Sequence, residues 1–91
     1  MSLRKVELMI SGVVQGVGFR YYVYRVAQQL GVVGWVRNLP DGRVQVLAEG
    51  DRGRLEGFIK ELKIGPRAAS VRDVVAKWSE STGKYHSFDV Q

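Results

Sequence analysis

Between Ser11 and Phe19 the apolar residues of this chain change their period, and that change constrains most of what the chain can fold into. Before it, Val6, Leu8 and Ile10 alternate with Glu7, Met9 and Ser11, the pattern of a strand with one face inward. After it, Phe19, Tyr22, Val23, Val26, Ala27 and Leu30 recur at helical spacing as one apolar stripe. Gly31 follows as the left-handed residue that commonly ends a helix. The stretch between, Gly12-Val13-Val14-Gln15-Gly16-Val17-Gly18, is too rich in glycine for the strand to run through it.

The same logic carries to the end of the chain. A second strand is expected over Val32 to Asn38, and Leu39-Pro40-Asp41-Gly42 is a turn, because proline presets φ and glycine accepts a positive φ. From Arg43 to Glu49 alternation resumes, with Val44, Val46 and Ala48 on one face, so the two strands form a hairpin. Asp51 is placed to cap a second helix with the stripe Leu55, Phe58, Ile59 and Leu62, ended by Gly65-Pro66. Val71 to Trp78 reads as a fourth strand whose alternation is disturbed near Asp73, and a short last strand covers Tyr85 to Val90. The order is βαββαβ plus a short extra C-terminal strand. Two helices on one face of an antiparallel-rich sheet is the ferredoxin-like α+β architecture. At 91 residues the chain has room for one core, so residues 1–91 are expected to form a single domain.

Several classes of function are excluded or disfavoured. Without cysteine there is no disulfide, thiolate metal site or cysteine nucleophile. His86 is the only histidine, so it has neither a metal partner nor a triad and reads as surface decoration; Asp41, Asp51 and Asp73 lack metal-ligand spacing. No apolar run approaches the roughly 20 residues that span a bilayer, and the charged start from Met1 to Val6 is unlike a signal peptide, so a cytoplasmic location is expected. A net charge of +5 favours anionic partners without choosing among nucleic acid, membrane and a small phosphate ester. An RNA-binding module on this fold needs basic and aromatic residues interleaved on the third strand, and Arg43-Val44-Gln45-Val46-Leu47-Ala48-Glu49 has no aromatic. Trp35 and Trp78 read as packing residues. Tyr21 and Tyr24 lie off the helical stripe and read first as exposed aromatics, with a place at the mouth of a cleft as the alternative; Arg37 reads as a solvated charge on the opposite strand face from Asn38, with substrate steering as the alternative.

The chemistry points to Gln15-Gly16-Val17-Gly18-Phe19-Arg20. A glycine-bearing loop that leaves a strand and opens a helix aims successive N–H groups at one small volume, where the helix dipole adds roughly half a positive charge. No Ser, Thr, Asp or Asn precedes Phe19 to cap those donors, and Arg20 adds a fork that matches phosphate oxygens. On the residues alone, a phosphate site and a plain connection both fit, and Asn38 reads first as a turn residue before Pro40. The stretch is neither a Walker A loop nor a dinucleotide fingerprint.

Gly12-Val13-Val14-Gln15-Gly16-Val17-Gly18-Phe19-Arg20 resembles the acylphosphatase signature G-x-V-Q-G-V-x-F-R. Gly34-Trp35-Val36-Arg37-Asn38, with the turn after it, is similar to that family's second motif, and the element order agrees from end to end. The resemblance implies a hydrolase that cleaves the carboxyl–phosphate bond of acyl phosphates and needs no metal or cofactor. It implies that the amides of Gln15, Gly16, Val17, Gly18, Phe19 and Arg20 cradle the phosphoryl oxygens, that Arg20 is the essential cation and that Asn38 places the attacking water. Asn38 cannot serve as a base, so its role is orientation, with the proton passing to a phosphate oxygen. Related segments occur inside larger proteins that handle carbamoyl phosphate, which makes a non-catalytic phosphate or carbamoyl-phosphate binding module the rival reading. The chain begins and ends at the fold's own boundaries, so an independent enzyme and a monomer are expected, with a small acyl phosphate as its partner and neither nucleic acid nor membrane.

Overall fold

The computed structural model describes residues 2–91; Met1, at the head of the charged start read above, lies outside them. Alternation in the first apolar segment produces β1 (Leu3–Val13), with Val6, Leu8 and Ile10 fully buried. The helical stripe produces α1 (Phe19–Leu30), which buries Phe19, Val23, Val26 and Ala27. Its last carbonyls are met through Gly31, whose N–H donates to the carbonyls of Ala27 and Gln28. The hairpin comprises β2 (Val33–Asn38) and β3 (Val44–Asp51). Asp51 then caps α2 (Arg52–Ile64), its carboxylate accepting from the Gly53 N–H at 3.1 Å. The chain closes with β4 (Ser70–Glu80) and β5 (Phe88–Val90).

The five strands form one mixed sheet in the order β4-β1-β3-β2-β5. All neighbours are antiparallel except β2 and β5, which run parallel. Both helices cover one face, where Leu55, Phe58 and Leu62 of α2 join the α1 stripe, the inward residues of β1 and β3, and Val36 of β2. This is the ferredoxin-like arrangement expected from the sequence. Each of the large side chains buried there contributes roughly 1.5–3 kcal/mol of transfer free energy.

Besides β3, which runs Val44–Asp51 rather than Arg43–Glu49, three boundaries differ from the sequence reading, each for an identifiable reason. β2 begins at Val33 because the Val32 N–H still belongs to the end of α1, donating to the Ala27 carbonyl at 2.9 Å. β4 extends from Ser70 to Glu80, and the disturbance near Asp73 is a bulge: Ser11 pairs with Asp73 but Gly12 with Val71, so Arg72 is the extra residue. The last strand starts at Phe88 rather than Tyr85, because the chain must first travel from the β4 edge to the β2 edge of the sheet. On that path it is held by Glu49 of β3. The Glu49 carboxylate accepts from the Ser81 hydroxyl, the Thr82 hydroxyl and N–H, and the Gly83 N–H at 2.7–3.1 Å. Phe88 then enters the core, edge-on to Phe58 with ring centroids 6.1 Å apart. That anchor places the end of the chain beside the start of α1.

Candidate active site

The loop after β1, the first turn of α1, the last residue of β2 and the end of β5 enclose a cavity of about 250 Å³. Gly16 and Gly18 line it on the loop side, both with positive φ (74° and 77°). Gly18 is the N-cap of α1 in a left-handed conformation, no side chain caps the helix, and no acidic residue occupies its first turn. The N–H groups of Phe19, Arg20 and Tyr21 therefore lack a side-chain acceptor at the positive end of the helix dipole. Phe19 is 1% exposed, so its ring locks the first turn onto the core directly beneath the cavity.

Arg20 lines the same space, half-buried, on the first turn of the helix. Its Nη1 donates to the main-chain oxygen of Gln91 at 2.6 Å, and it pairs with no side-chain carboxylate among the described residues. The residue that follows β5 thus holds the guanidinium from one side. Asn38 lines the same cavity, and its Oδ1 is buried and has no hydrogen-bond partner among the described residues. Leaving a buried acceptor unpaired costs about 1–3 kcal/mol. An unpaired acceptor that shares a cavity with uncapped N–H donors and a guanidinium is an arrangement that an anion plus one water would satisfy.

The six residues from Gln15 to Arg20 do not share one orientation. Gly16, Gly18, Phe19 and Arg20 line the cavity, whereas Gln15 and Val17 do not. Val17 packs against the core. The Gln15 side chain reaches the hairpin instead, where its Nε2 donates to the carbonyls of Leu39 at 2.8 Å and Arg43 at 2.9 Å. The Arg43 carbonyl also accepts from the Leu39 N–H at 2.8 Å, so Gln15 grips the hairpin at its closing rung, one residue beyond Asn38.

Val14 and Val90 line the cavity without having been among the expected site residues, and Tyr21 takes the cleft-mouth place that was its second reading. Val14 lines it from the loop after β1 and Val90 from β5. The signal for Tyr21 was its place next to Arg20; for Val90 none existed, because the pairing of β5 with β2 is not local. Other charges are engaged elsewhere. Arg37 donates to Gln45 Oε1 at 2.8 Å and lies over the Trp35 ring at 4.9 Å. Arg43 is paired with Asp41 at 2.8 Å. The Arg43 N–H, foremost, with the Arg43 side chain, holds the Asp41 carboxyl below its ordinary range. His86 is exposed and does not line the cavity.

Among the described residues no group of three or more His, Cys, Asp or Glu side chains could hold a metal ion, and no helix is long and apolar enough to cross a membrane. A wider groove of about 720 Å³ runs between the start of β1 and Glu80–Gly83. Its one arginine, Arg4, donates through Nε to the Ser79 carbonyl, and the groove lacks the convergent donors of the smaller cavity.

Comparison with known proteins gives a consistent result. The acylphosphatase family model matches residues 6–90. An acylphosphatase of Acaryochloris marina is 50% identical over 84 residues, covering 92% of this chain and 89% of that protein. One of Archaeoglobus fulgidus is also 50% identical over 84 residues, covering 92% and 93%. The crystal structure of acylphosphatase from Bacillus subtilis superimposes with a TM-score of 0.94 at 38% identity, covering 97% of this chain and 98% of that one.

Proposed function

The chain belongs to the acylphosphatase family, whose activity is hydrolysis of the carboxyl–phosphate bond, and from that premise we propose how its residues divide the work. The N–H groups around Gly16–Arg20 and the Arg20 guanidinium hold the phosphoryl oxygens. Asn38 Oδ1 accepts a hydrogen bond from a water and aims its lone pair at phosphorus. As the water oxygen bonds to phosphorus, the bond from phosphorus to the carboxylate oxygen breaks in line. The carboxylate leaves unprotonated, and both water protons end on inorganic phosphate. A carboxylate is a good leaving group, so charge stabilisation and positioning carry most of the barrier reduction.

The observation that supports this reading is the unpartnered, buried Oδ1 of Asn38 in the same cavity as Arg20 and the uncapped start of α1. The same reading has the protein work as a cytoplasmic monomer on a small acyl phosphate, without metal or cofactor.

The test is hydrolysis of benzoyl phosphate in chelator-containing buffer, with inorganic phosphate binding measured in parallel. Losing the Asn38 acceptor in Asn38→Ala should lower kcat by about 10²–10³ and leave phosphate binding nearly intact, whereas Arg20→Gln should lose both. Absence of turnover in a folded intact chain that still binds phosphate would sink the mechanism and leave a phosphate-binding module.

A further inference from the structure

We infer that Tyr21 and Val90 form an apolar lip that reads the acyl end of the substrate, so that the site favours uncharged, apolar acyl groups over those carrying a second anion. The inference rests on the function proposed above and adds the substrate class that the phosphate cradle leaves open.

Once the loop, Arg20 and Asn38 are assigned to the phosphate and the water, the remaining side chains at the cavity opening are Tyr21 and Val90. Both are large and apolar yet stay open to solvent, at 63% and 47% exposure. Both are also held in place. Tyr21 stacks on Tyr24 one turn along α1, with ring centroids 6.3 Å apart and planes 25° from parallel. Val90 pairs with Val36 across the parallel β2–β5 ladder, and the Gln91 N–H donates to the Val36 carbonyl at 2.9 Å. Phe88, two residues earlier on the same strand face, is buried against Phe58, which fixes which way Val90 points. A restrained apolar pair beside a polar cradle gives an aromatic or aliphatic acyl group surface to cover at little ordering cost.

Charge supplies the other half of the argument. Arg20 is the one charged side chain lining the cavity, and the phosphoryl group occupies it. Arg43 is paired with Asp41, Arg37 is engaged by Gln45 and Trp35, and neither lines the cavity to meet a carboxylate or second phosphate on the acyl group.

The test compares kcat/KM for benzoyl, acetyl and succinyl phosphate in the intact chain, Tyr21→Ser/Val90→Ser and Tyr21→Phe. In the double variant the benzoyl-to-acetyl ratio should fall about five- to tenfold, because a methyl group covers far less of the lip than a ring does. Tyr21→Phe should keep the ratio of the intact chain. Succinyl phosphate, with its free carboxylate, should be the poorest of the three substrates. An unchanged ratio in a folded double variant, or succinyl phosphate turned over best, overturns the inference while the hydrolytic reading stands. Failure of the folded intact chain to hydrolyse any of the three overturns the hydrolytic reading and this inference with it.

Discussion

The side-chain amide of Gln15 joins the phosphate loop to the hairpin that carries Asn38, donating to the Leu39 carbonyl at 2.8 Å and the Arg43 carbonyl at 2.9 Å. Both N–H bonds of that amide are used in the grip. The distance between the uncapped helix start and the Asn38 oxygen is therefore set by one side chain rather than by main-chain pairing alone.

Gln15→Leu removes the grip and keeps the size of the side chain. The two carbonyls lose a donor, which should cost about 1–3 kcal/mol of stability. The larger expected effect is on alignment: kcat for benzoyl phosphate falls about tenfold or more, since small displacements of an orienting group are costly in rate. Inorganic phosphate should still bind with nearly its original affinity, because the loop amides and Arg20 remain. Parallel initial-rate and phosphate-titration measurements separate the two. Equal losses of rate and phosphate affinity would show that Gln15 supports the cradle itself rather than its distance from Asn38.

The pH dependence of kcat follows from what lines the cavity. No Asp, Glu, His or Lys side chain lines it. A log kcat profile flat between about pH 5.5 and 8 is expected, with any bend assignable to the substrate phosphate. A bend in the intact enzyme that tracks no titration of the substrate would require an enzymic base and would contradict water activation by Asn38.

Much of this molecule was readable beforehand, and the parts that were not share a cause. Strand and helix periodicity, the Gly31 and Asp51 caps and the loop before Arg20 are written within a few residues of where they act. Gln15 is different: its backbone position in the motif was visible, but the reach of its side chain depends on how closely the hairpin approaches. Val90 and Gln91 are further from local signal still. Val90 comes to the cavity that Tyr21 lines, and Gln91 to Arg20, because β5 joins β2 in parallel at the far edge of the sheet, and three residues of strand carry too little pattern to announce a partner. Bulge and boundary shifts have the same origin, since the Val32 N–H and the extra residue Arg72 are decided by what the neighbouring element already satisfies.

Glu49 should make the protein acid-sensitive. Its burial opposes ionisation, but the hydrogen bonds from Thr82, Ser81 and Gly83 outweigh that and bring its pKa below the ordinary value. A carboxyl depressed on folding contributes its full stabilisation above the unfolded chain's glutamate pKa, and loses it as pH falls through the lower folded value. Glu49→Gln removes the charge from these bonds and should cost about 1–3 kcal/mol at neutral pH, or several degrees in Tm. Below the folded pKa the gap between variant and intact chain should narrow. Thermal melts across the acid range read this directly, and a gap that stays constant with pH would mean that the carboxylate charge contributes nothing to holding Ser81–Gly83.

Two glycines with positive φ should respond to alanine in opposite ways. At Gly34 (φ 140°) an added Cβ would sit 1.9 Å from the Leu47 carbonyl oxygen of the neighbouring strand, so β2 and β3 must separate near the open end of the hairpin. Gly34→Ala should fail to fold or lose most of its stability, since main-chain atoms of a paired strand have little room to give. At Gly18 (φ 77°) a Cβ meets nothing within 4 Å, and the penalty is the left-handed conformation alone, about 1–2 kcal/mol for an L-residue. Gly18→Ala should therefore fold, with a lower Tm and weaker phosphate binding as the first turn of α1 relaxes. Gly18→Asn should recover part of both, because asparagine tolerates that conformation better than alanine. Circular dichroism melts with and without phosphate separate strain from clash: an unfolded Gly18→Ala, or a Gly34→Ala as stable as the intact chain, would contradict the geometry assigned to the loop or to the hairpin.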